Sequence, residues 1–263
     1  MRLPTLPIDP SAVHGAFMAL GTLAAVILFL AEARRRRTLD DRLFTILTGA
    51  LLCGGVAAKL STSWRYLAAA PDPTLLGALL YGGKSVLGGL AGAYLGAVAT
   101  KRLIGYRAPT GDVFAPAVAL GIGIGRFGCL FTETPGTPTG LSWGITVGTA
   151  RAARIPGFPT GWIGVPLHPS FVYEIAFHFA MLAVLLRLRR RPDLRGELFK
   201  VYLLAYATFR FLIEFVRGNE VVWAGLTRSQ LFLIPSTLLL AGYFLRRRRP
   251  AAMGEIRTLE GTP

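Results

Sequence analysis

Arg210, Glu214 and Arg217 close the run FRFLIEFVR (Phe209 to Arg217), the end of an apolar stretch that begins near Leu198. At 100° per residue the three fall within roughly 60° of arc on one helix face. Charges at membrane depth are costly, so by default they face a protein interior or a wet cavity and mark a functional site. Arg126 in GRFG and the carboxylates Glu133 and Glu174 belong to the same half of the membrane in the topology derived below. Arginine suits phosphate capture, because its planar fork stays protonated and can grip two oxygens at once. Glu214 can orient Arg210, four residues before it, and Arg217, three residues after it. The competing reading is an ion-pair network that only pins helices together.

Other polar residues are open to two readings. His168, in HPSFVYE (His168 to Glu174), could serve as a general base or brace the start of a helix. Tyr173 and Glu174 could line the cavity of the arginines or anchor their own helix. His14 and His178 sit on apolar helices and read as packing residues. Cys53 and Cys129 lie within apolar segments and give neither a disulfide framework nor metal-ligand spacing, and Cys129 reads as a small buried thiol. Gly123 to Gly128 match GxGxxG, which is weak as a dinucleotide fingerprint because no strand precedes it. The better reading is a flexible, closely packed helix end that places Arg126, with Gly128 beside it.

The elements that must hold these side chains are membrane helices. Of 263 residues 52% are hydrophobic and only 16% charged, against about 25% charged in a soluble domain, and the mean hydropathy is +0.50. Segments of about 20 apolar residues can cross a bilayer. Seven are expected: Ala12 to Ala33, Leu43 to Leu60, Leu87 to Thr100, Val113 to Phe131, Phe171 to Leu186, Leu198 to Val216 and Leu231 to Leu245. The third and fifth need flanking residues, from Leu75 to Val86 and from Leu188, to reach full length. The fold class is thus an all-α integral membrane protein of seven transmembrane helices in one membrane domain, 1–263.

The formal net charge of +15 invites a nucleic-acid reading, but the placement of the charge argues for topological anchoring instead. Nineteen of the 29 Lys and Arg fall in four groups: Arg34 to Arg37 with Arg42; Lys101, Arg102 and Arg107; Arg187, Arg189 to Arg191, Arg195 and Lys200; Arg246 to Arg249 with Arg257. With seven spans these all face one side, which the positive-inside rule makes cytoplasmic, leaving the N-terminus outside. The Gly/Ala-rich run YGGKSVLGGLAGAYLGA (Tyr81 to Ala97) suits helices in close approach. Trp64, Arg65 and Tyr66 are expected in an outward loop at the membrane interface. Residues 132–167 turn abruptly to Pro, Gly and Thr and form a small extracytoplasmic cap or loop, with Trp143 to Val147 a candidate strand. Pro169 is expected at the first position of the next helix. Met1 to Pro10 carries no basic lead into the first apolar segment, so that span is expected to be retained. The charged residues within the spans cluster at the outer end, which ranks a transporter path last.

The motifs in their order resemble the bacterial prolipoprotein diacylglyceryl transferase family. GRFG, followed by a Pro/Gly-rich segment and WGI (Trp143 to Ile145), is similar to the family signature region. HPSFVYE resembles the HPSxxYE block and FRFLIEFVR the FRFxxEFxR block. GLTRSQLFLIP (Gly225 to Pro235) and YGGKSVLGGLAG resemble the entry to the last helix and the GGxSFHGG segment. The likeness runs from about Val13 to Tyr243. It implies a multi-pass enzyme of the bacterial plasma (inner) membrane with a cytoplasmic C-terminus, without metal or cofactor. The implied reaction moves a diacylglyceryl group from phosphatidylglycerol to the lipobox cysteine of a prolipoprotein signal peptide, releasing glycerol phosphate; membrane lipids are the other partners, and nucleic acid is not one. The resemblance makes Arg126, Arg210 and Glu214 catalytic, and Arg217, Gly128, Glu133, His168, Tyr173 and Glu174 are expected to bind substrate.

The sequence departs from the pattern at chosen places. Leu87 stands where the GGxSFHGG segment has a histidine important for activity, and Cys129, Thr132 and Glu133 stand where the signature has Asn and Gly. His14 matches a family histidine with a one-residue shift. Two readings follow. Arginine electrostatics could favour the thiolate, with Glu133 or His168 as base, or the chain is a lipid-binding paralogue with lost or altered chemistry.

Overall fold

The computed structural model describes residues 8–69, 72, 74–81 and 85–259. Met1 to Pro7, and Gly82 to Lys84 within the glycine-rich run, lie outside the described residues. The order of elements is α1 (Pro10–Arg35), α2 (Asp41–Ala69), α3 (Leu75–Tyr81), α4 (Val86–Leu103), α5 (Gly111–Thr132), β1 (Ile145–Thr146), α6 (Thr149–Ala152), β2 (Pro166–Leu167), α7 (Ser170–Leu188), α8 (Leu198–Ile213), β3 (Val221–Trp223), β4 (Leu226–Thr227) and α9 (Arg228–Leu259). Six of the expected spans fall within one of the seven longest helices, and the sixth in order, Leu198 to Val216, overruns α8, which ends at Ile213. Among the described residues four helices, α1, α2, α5 and α7, are long and apolar enough to cross a membrane. Their large apolar side chains stay in part exposed, as with Leu23 and Ile27 on α1 and Leu51 and Leu52 on α2. Lipid is the solvent such a surface suits.

The chain forms two compact units, Leu30–Thr110 and Met1–Phe29 with Gly111–Pro263. In the first, α2 and α4 lie against each other with almost no side chain between them. A Cβ on Gly92 would come within 2.6 Å of the Cys53 carbonyl oxygen, and one on Gly96 within 2.6 Å of that of Gly49. This is the small-residue packing expected of the run. Two expectations fail here. Leu75–Tyr81 does not lengthen the third span but forms its own helix, because Ser85 takes an extended backbone (φ −110°) and caps α4 by accepting from the Gly88 N–H at 3.1 Å. Trp64 to Tyr66 lie inside α2, not in a loop, since neither Gly nor Pro occurs between Gly55 and Pro71.

In the second unit α5 is the central helix, packed on α1, α7 and α8. The glycines of GIGIGRFG make this possible, and they lie within the helix instead of fraying its end. A Cβ on Gly123 would meet His178 of α7 at 3.2 Å, and one on Gly128 would meet the His14 Cα of α1 at 3.3 Å. The match to GxGxxG is therefore helix packing, with no phosphate-binding turn. Asp112, 2% exposed, accepts from the backbone N–H groups of Gly196 at 2.8 Å and Leu198 at 3.2 Å, so the start of α5 caps the start of α8. Asp112→Ala leaves those donors unsatisfied and is expected to cost about 1–3 kcal/mol, read as a lower melting temperature in detergent, with Asp112→Asn retaining most of the stability.

Residues between α5 and α7 fold over the ends of both helices. β1 pairs antiparallel with β2, Ile145 opposite Leu167, inside the stretch expected to hold a strand. Ile145, Val147, Ala152, Ile155 and Leu167 join Cys129 and Leu130 of α5 and Phe171 and Ile175 of α7 in one apolar cluster. Arg151, 5% exposed, donates to the Leu130 carbonyl at 2.6 Å, a cation at a helix C-terminus. Burial draws its pKa below the ordinary arginine value. Pro169 is the cap residue of α7, one position before the helix. The expected seventh-span entry is preceded by a hairpin, β3 with β4, that exposes Val221, Val222 and Trp223.

Candidate active site

Tyr202, Tyr206, Arg210 and Glu214 recur every four residues along α8 and its exit. That spacing stacks them on one face, each about one turn above the last. All four are buried, at 0%, 1%, 7% and 2% exposure. The apolar remainder of the helix covers them, so the polar stripe faces α5 and α7. Across from it α5 contributes Arg126 and α7 contributes Glu174, which is fully buried.

The ion pairs within the cluster divide between two carboxylates. Glu174 Oε2 lies 2.6 Å from Arg126 Nε, and Glu174 Oε1 accepts from Arg217 Nη1. Glu214 Oε2 lies 2.5 Å from Arg210 Nη1. Its other oxygen accepts from Asn219 Nδ2 at 2.7 Å and Thr227 Oγ1 at 2.9 Å. Arg126 Nη2 donates to the Tyr206 hydroxyl at 3.4 Å, and the Arg217 guanidinium lies 4.6 Å from the centre of the Phe171 ring. Three arginines therefore meet two carboxylates. The cluster carries one positive charge more than its own residues neutralise, in a place where an unbalanced charge is costly.

Glu214 was expected to hold both Arg210 and Arg217, and it holds only the first. The helix ends at Ile213 and tightens into a 3-10 turn over Glu214–Val216, while Asn219 and Thr227 occupy the oxygen that Arg217 would need. Arg217 turns instead to Glu174, which thereby joins α5, α7 and the end of α8.

The remaining expected site residues are distributed around this cluster. Gly128 lets α1 approach α5, as above. Glu133, half-buried one turn beyond Cys129, groups with Cys129 and His14. Tyr173 accepts at its hydroxyl from Trp143 Nε1 at 3.0 Å, tying α7 to the cap. His168 braces the entry to α7: its N–H donates to Thr137 O at 2.8 Å and its carbonyl accepts from Ser170 N–H at 2.8 Å. Its ring packs edge-on to Tyr173, 6.5 Å between centroids. His178, expected to be a packing residue, is buried with Nδ1 3.0 Å from the Tyr202 hydroxyl. Leu87 is a half-buried residue of α4 in the other unit.

Residues missed from the sequence are Tyr202, Tyr206, Asn219, Thr227 and Gln230. The tyrosines carried a signal in the four-residue period. Gln230, 1% exposed, accepts from the Thr227 N–H at 2.9 Å and donates to Phe211 O at 3.2 Å, which sets the hairpin against the end of α8.

The sequence model described as prolipoprotein diacylglyceryl transferase matches residues 5–246. A phosphatidylglycerol–prolipoprotein diacylglyceryl transferase of Bordetella parapertussis is 31% identical, over 93% of this chain and 95% of the relative. Relatives of that name from Geobacter sulfurreducens and Chromohalobacter salexigens are 34% and 35% identical, over 86% and 81% of this chain and 86% and 78% of their own lengths.

Proposed function

The chain belongs to the prolipoprotein diacylglyceryl transferase family, and from that membership we propose that it transfers a diacylglyceryl group from phosphatidylglycerol to the thiol of a lipobox cysteine in a prolipoprotein signal peptide. One observation carries the reading: a buried cluster of Arg126, Arg210 and Arg217 that, among the described residues, is ion-paired to Glu174 and Glu214 alone. A phosphodiester supplies the one negative charge the cluster lacks.

The chemistry follows from that placement. The phosphate oxygens of phosphatidylglycerol bind among the three guanidinium groups, which hold its glyceryl carbon towards the acceptor. The thiolate sulfur attacks that carbon, the carbon–oxygen bond to phosphate breaks, and the electron pair leaves with glycerol phosphate. Arginine donors stabilise the charge that grows on the leaving phosphate. Glu174 and Glu214 keep the guanidinium groups in place, and Tyr206 restrains Arg126. His168 and Tyr173 flank this centre as substrate contacts.

The enzyme is placed in the bacterial inner membrane with seven spans, α1, α2, α4, α5, α7, α8 and α9. Charge asymmetry supports an outward N-terminus, a cytoplasmic C-terminus and an extracytoplasmic cap over residues 132–167, the segment that Trp143 ties to Tyr173. One residue favours a second reading: Leu87 cannot move a proton, so a paralogue that binds lipid without turning it over would share this cluster. The discriminating experiment supplies the wild-type gene to a bacterium depleted of its own transferase. Restored thioether lipidation is expected, and a well-expressed protein that restores none points to the paralogue.

A further inference from the structure

We propose that His14, Cys129 and Glu133 form a binding site for a thiophilic divalent cation of the zinc class, with one coordination position left for a thiol. Nδ1 or Nε2 of His14, Sγ of Cys129 and a carboxylate oxygen of Glu133 all lie within 4.8 Å of one another. Ligand atoms about 2.0–2.3 Å from a tetrahedral zinc ion lie about 3.3–3.8 Å apart, so small side-chain adjustments close the site.

The fold places these groups together for reasons that have nothing to do with the arginine cluster. Cys129 lies in the last turn of α5 and Glu133 just past its end, where its N–H donates to the Cys129 carbonyl at 2.9 Å and keeps the two one turn apart. His14 arrives from α1, and it can do so because Gly128 has no side chain: a Cβ there would meet the His14 Cα at 3.3 Å. Thr132 Oγ1 lies 3.5 Å from His14 Nδ1 and is itself held by the Gly128 carbonyl at 2.9 Å. Cys129 is buried, and His14 and Glu133 are half-buried.

The donor set selects the ion. Thiolate, imidazole and carboxylate together suit zinc and its neighbours, not magnesium or calcium. A thiolate and a carboxylate balance the charge of a divalent cation. Three protein ligands leave the fourth position open, the arrangement of catalytic zinc sites. Arg126 lies close, with Nη1 3.8 Å from Cys129 Sγ, but its charge is already matched by Glu174 at 2.6 Å.

The open position has a use that rests on the proposed function. A thiol that coordinates such a cation gives up its proton, so the acceptor sulfur arrives as thiolate beside the arginines that hold the phosphate. The proton passes to solvent, the sulfur–carbon bond forms and the carbon–oxygen bond to glycerol phosphate breaks. No residue at position 87 is then needed to take the proton.

The test uses the full-length protein in detergent, reduced with a phosphine and stripped of metal. Titration with Co²⁺ is expected to give a sulfur-to-cobalt charge-transfer band in the near ultraviolet that saturates at one equivalent and is displaced by Zn²⁺. Cys129→Ser is expected to lose that band, and Glu133→Gln to weaken Co²⁺ binding, with melting temperatures confirming both variants folded. A wild type without the band, or a band that survives in Cys129→Ser, overturns the site. A cysteine peptide added to the Co²⁺ protein is expected to intensify the band, and an unchanged spectrum overturns the role of the open position. Binding is read without turnover: a band with no lipidated product would count against the proposed reaction, and product without a band would count against the cation.

Discussion

Arg210→Ala is expected to lower diacylglyceryl transfer by on the order of 10²–10³-fold, the loss that follows when one preorganised donor is removed from a developing negative charge. The same variant is expected to stay folded. Its partner Glu214 retains two neutral donors, Asn219 at 2.7 Å and Thr227 at 2.9 Å, so the carboxylate is not abandoned. Arg210→Lys keeps a charge but loses the fork, and is expected to fall between wild type and Ala. Transfer of labelled phosphatidylglycerol to a lipobox peptide measures the effect, with melting temperature as the control. A variant that retains most of its activity would mean that Arg210 serves the helix and not the phosphate.

Glu174→Ala is expected to do the opposite, unfolding the protein before chemistry can be tested. Glu174 is fully buried, and its two oxygens face Arg126 and Arg217. Without it the cluster has three positive charges against Glu214 alone. Stranding partners of a buried pair costs about 3–5 kcal/mol, and Glu174→Gln, which still accepts hydrogen bonds, is expected to lose less. The excess charge gives a sharper check. An anion that binds the folded state stabilises it in proportion to its affinity, so glycerol phosphate should raise the melting temperature of Glu174→Gln more than that of wild type. Equal shifts would show that the anion does not bind among these arginines.

The difference between the two glutamates marks where sequence reading succeeds and where it stops. The helices were legible because long apolar runs admit few alternatives, and FRFLIEFVR exposed Arg210 and Glu214 because charges are rare in such runs. Glu174 was legible as a candidate from HPSFVYE, but its link to Arg126 and Arg217 was not, since it joins residues 48 and 43 positions away. The expected Glu214–Arg217 pair assumed a helix continuing at 100° per residue. The chain leaves that geometry at Glu214, four residues before Gly218, whose φ of +74° closes the turn, so the glycine marks the end of the helix but not where it begins to tighten. His14 with Cys129 is a contact between helices, set by a missing side chain at Gly128, and linear spacing carries no trace of it. The break before α4 was written in the sequence: Ser85 stands three residues before Gly88, a capping position, inside a run read only for its small residues.

The order of the five charges along the chain has a consequence for how the protein is made. They alternate in sign from the N-terminus: Arg126, Glu174, Arg210, Glu214, Arg217. A polytopic chain enters the bilayer from that end, helix by helix. Each arginine is followed by a carboxylate before the next arginine emerges, so the cluster never holds more than one unmatched charge as it is synthesised. Arg126 waits for α7 and Arg210 waits only four residues. The single charge left over at the end is added last, by Arg217, after its counterion Glu174 is already in the membrane.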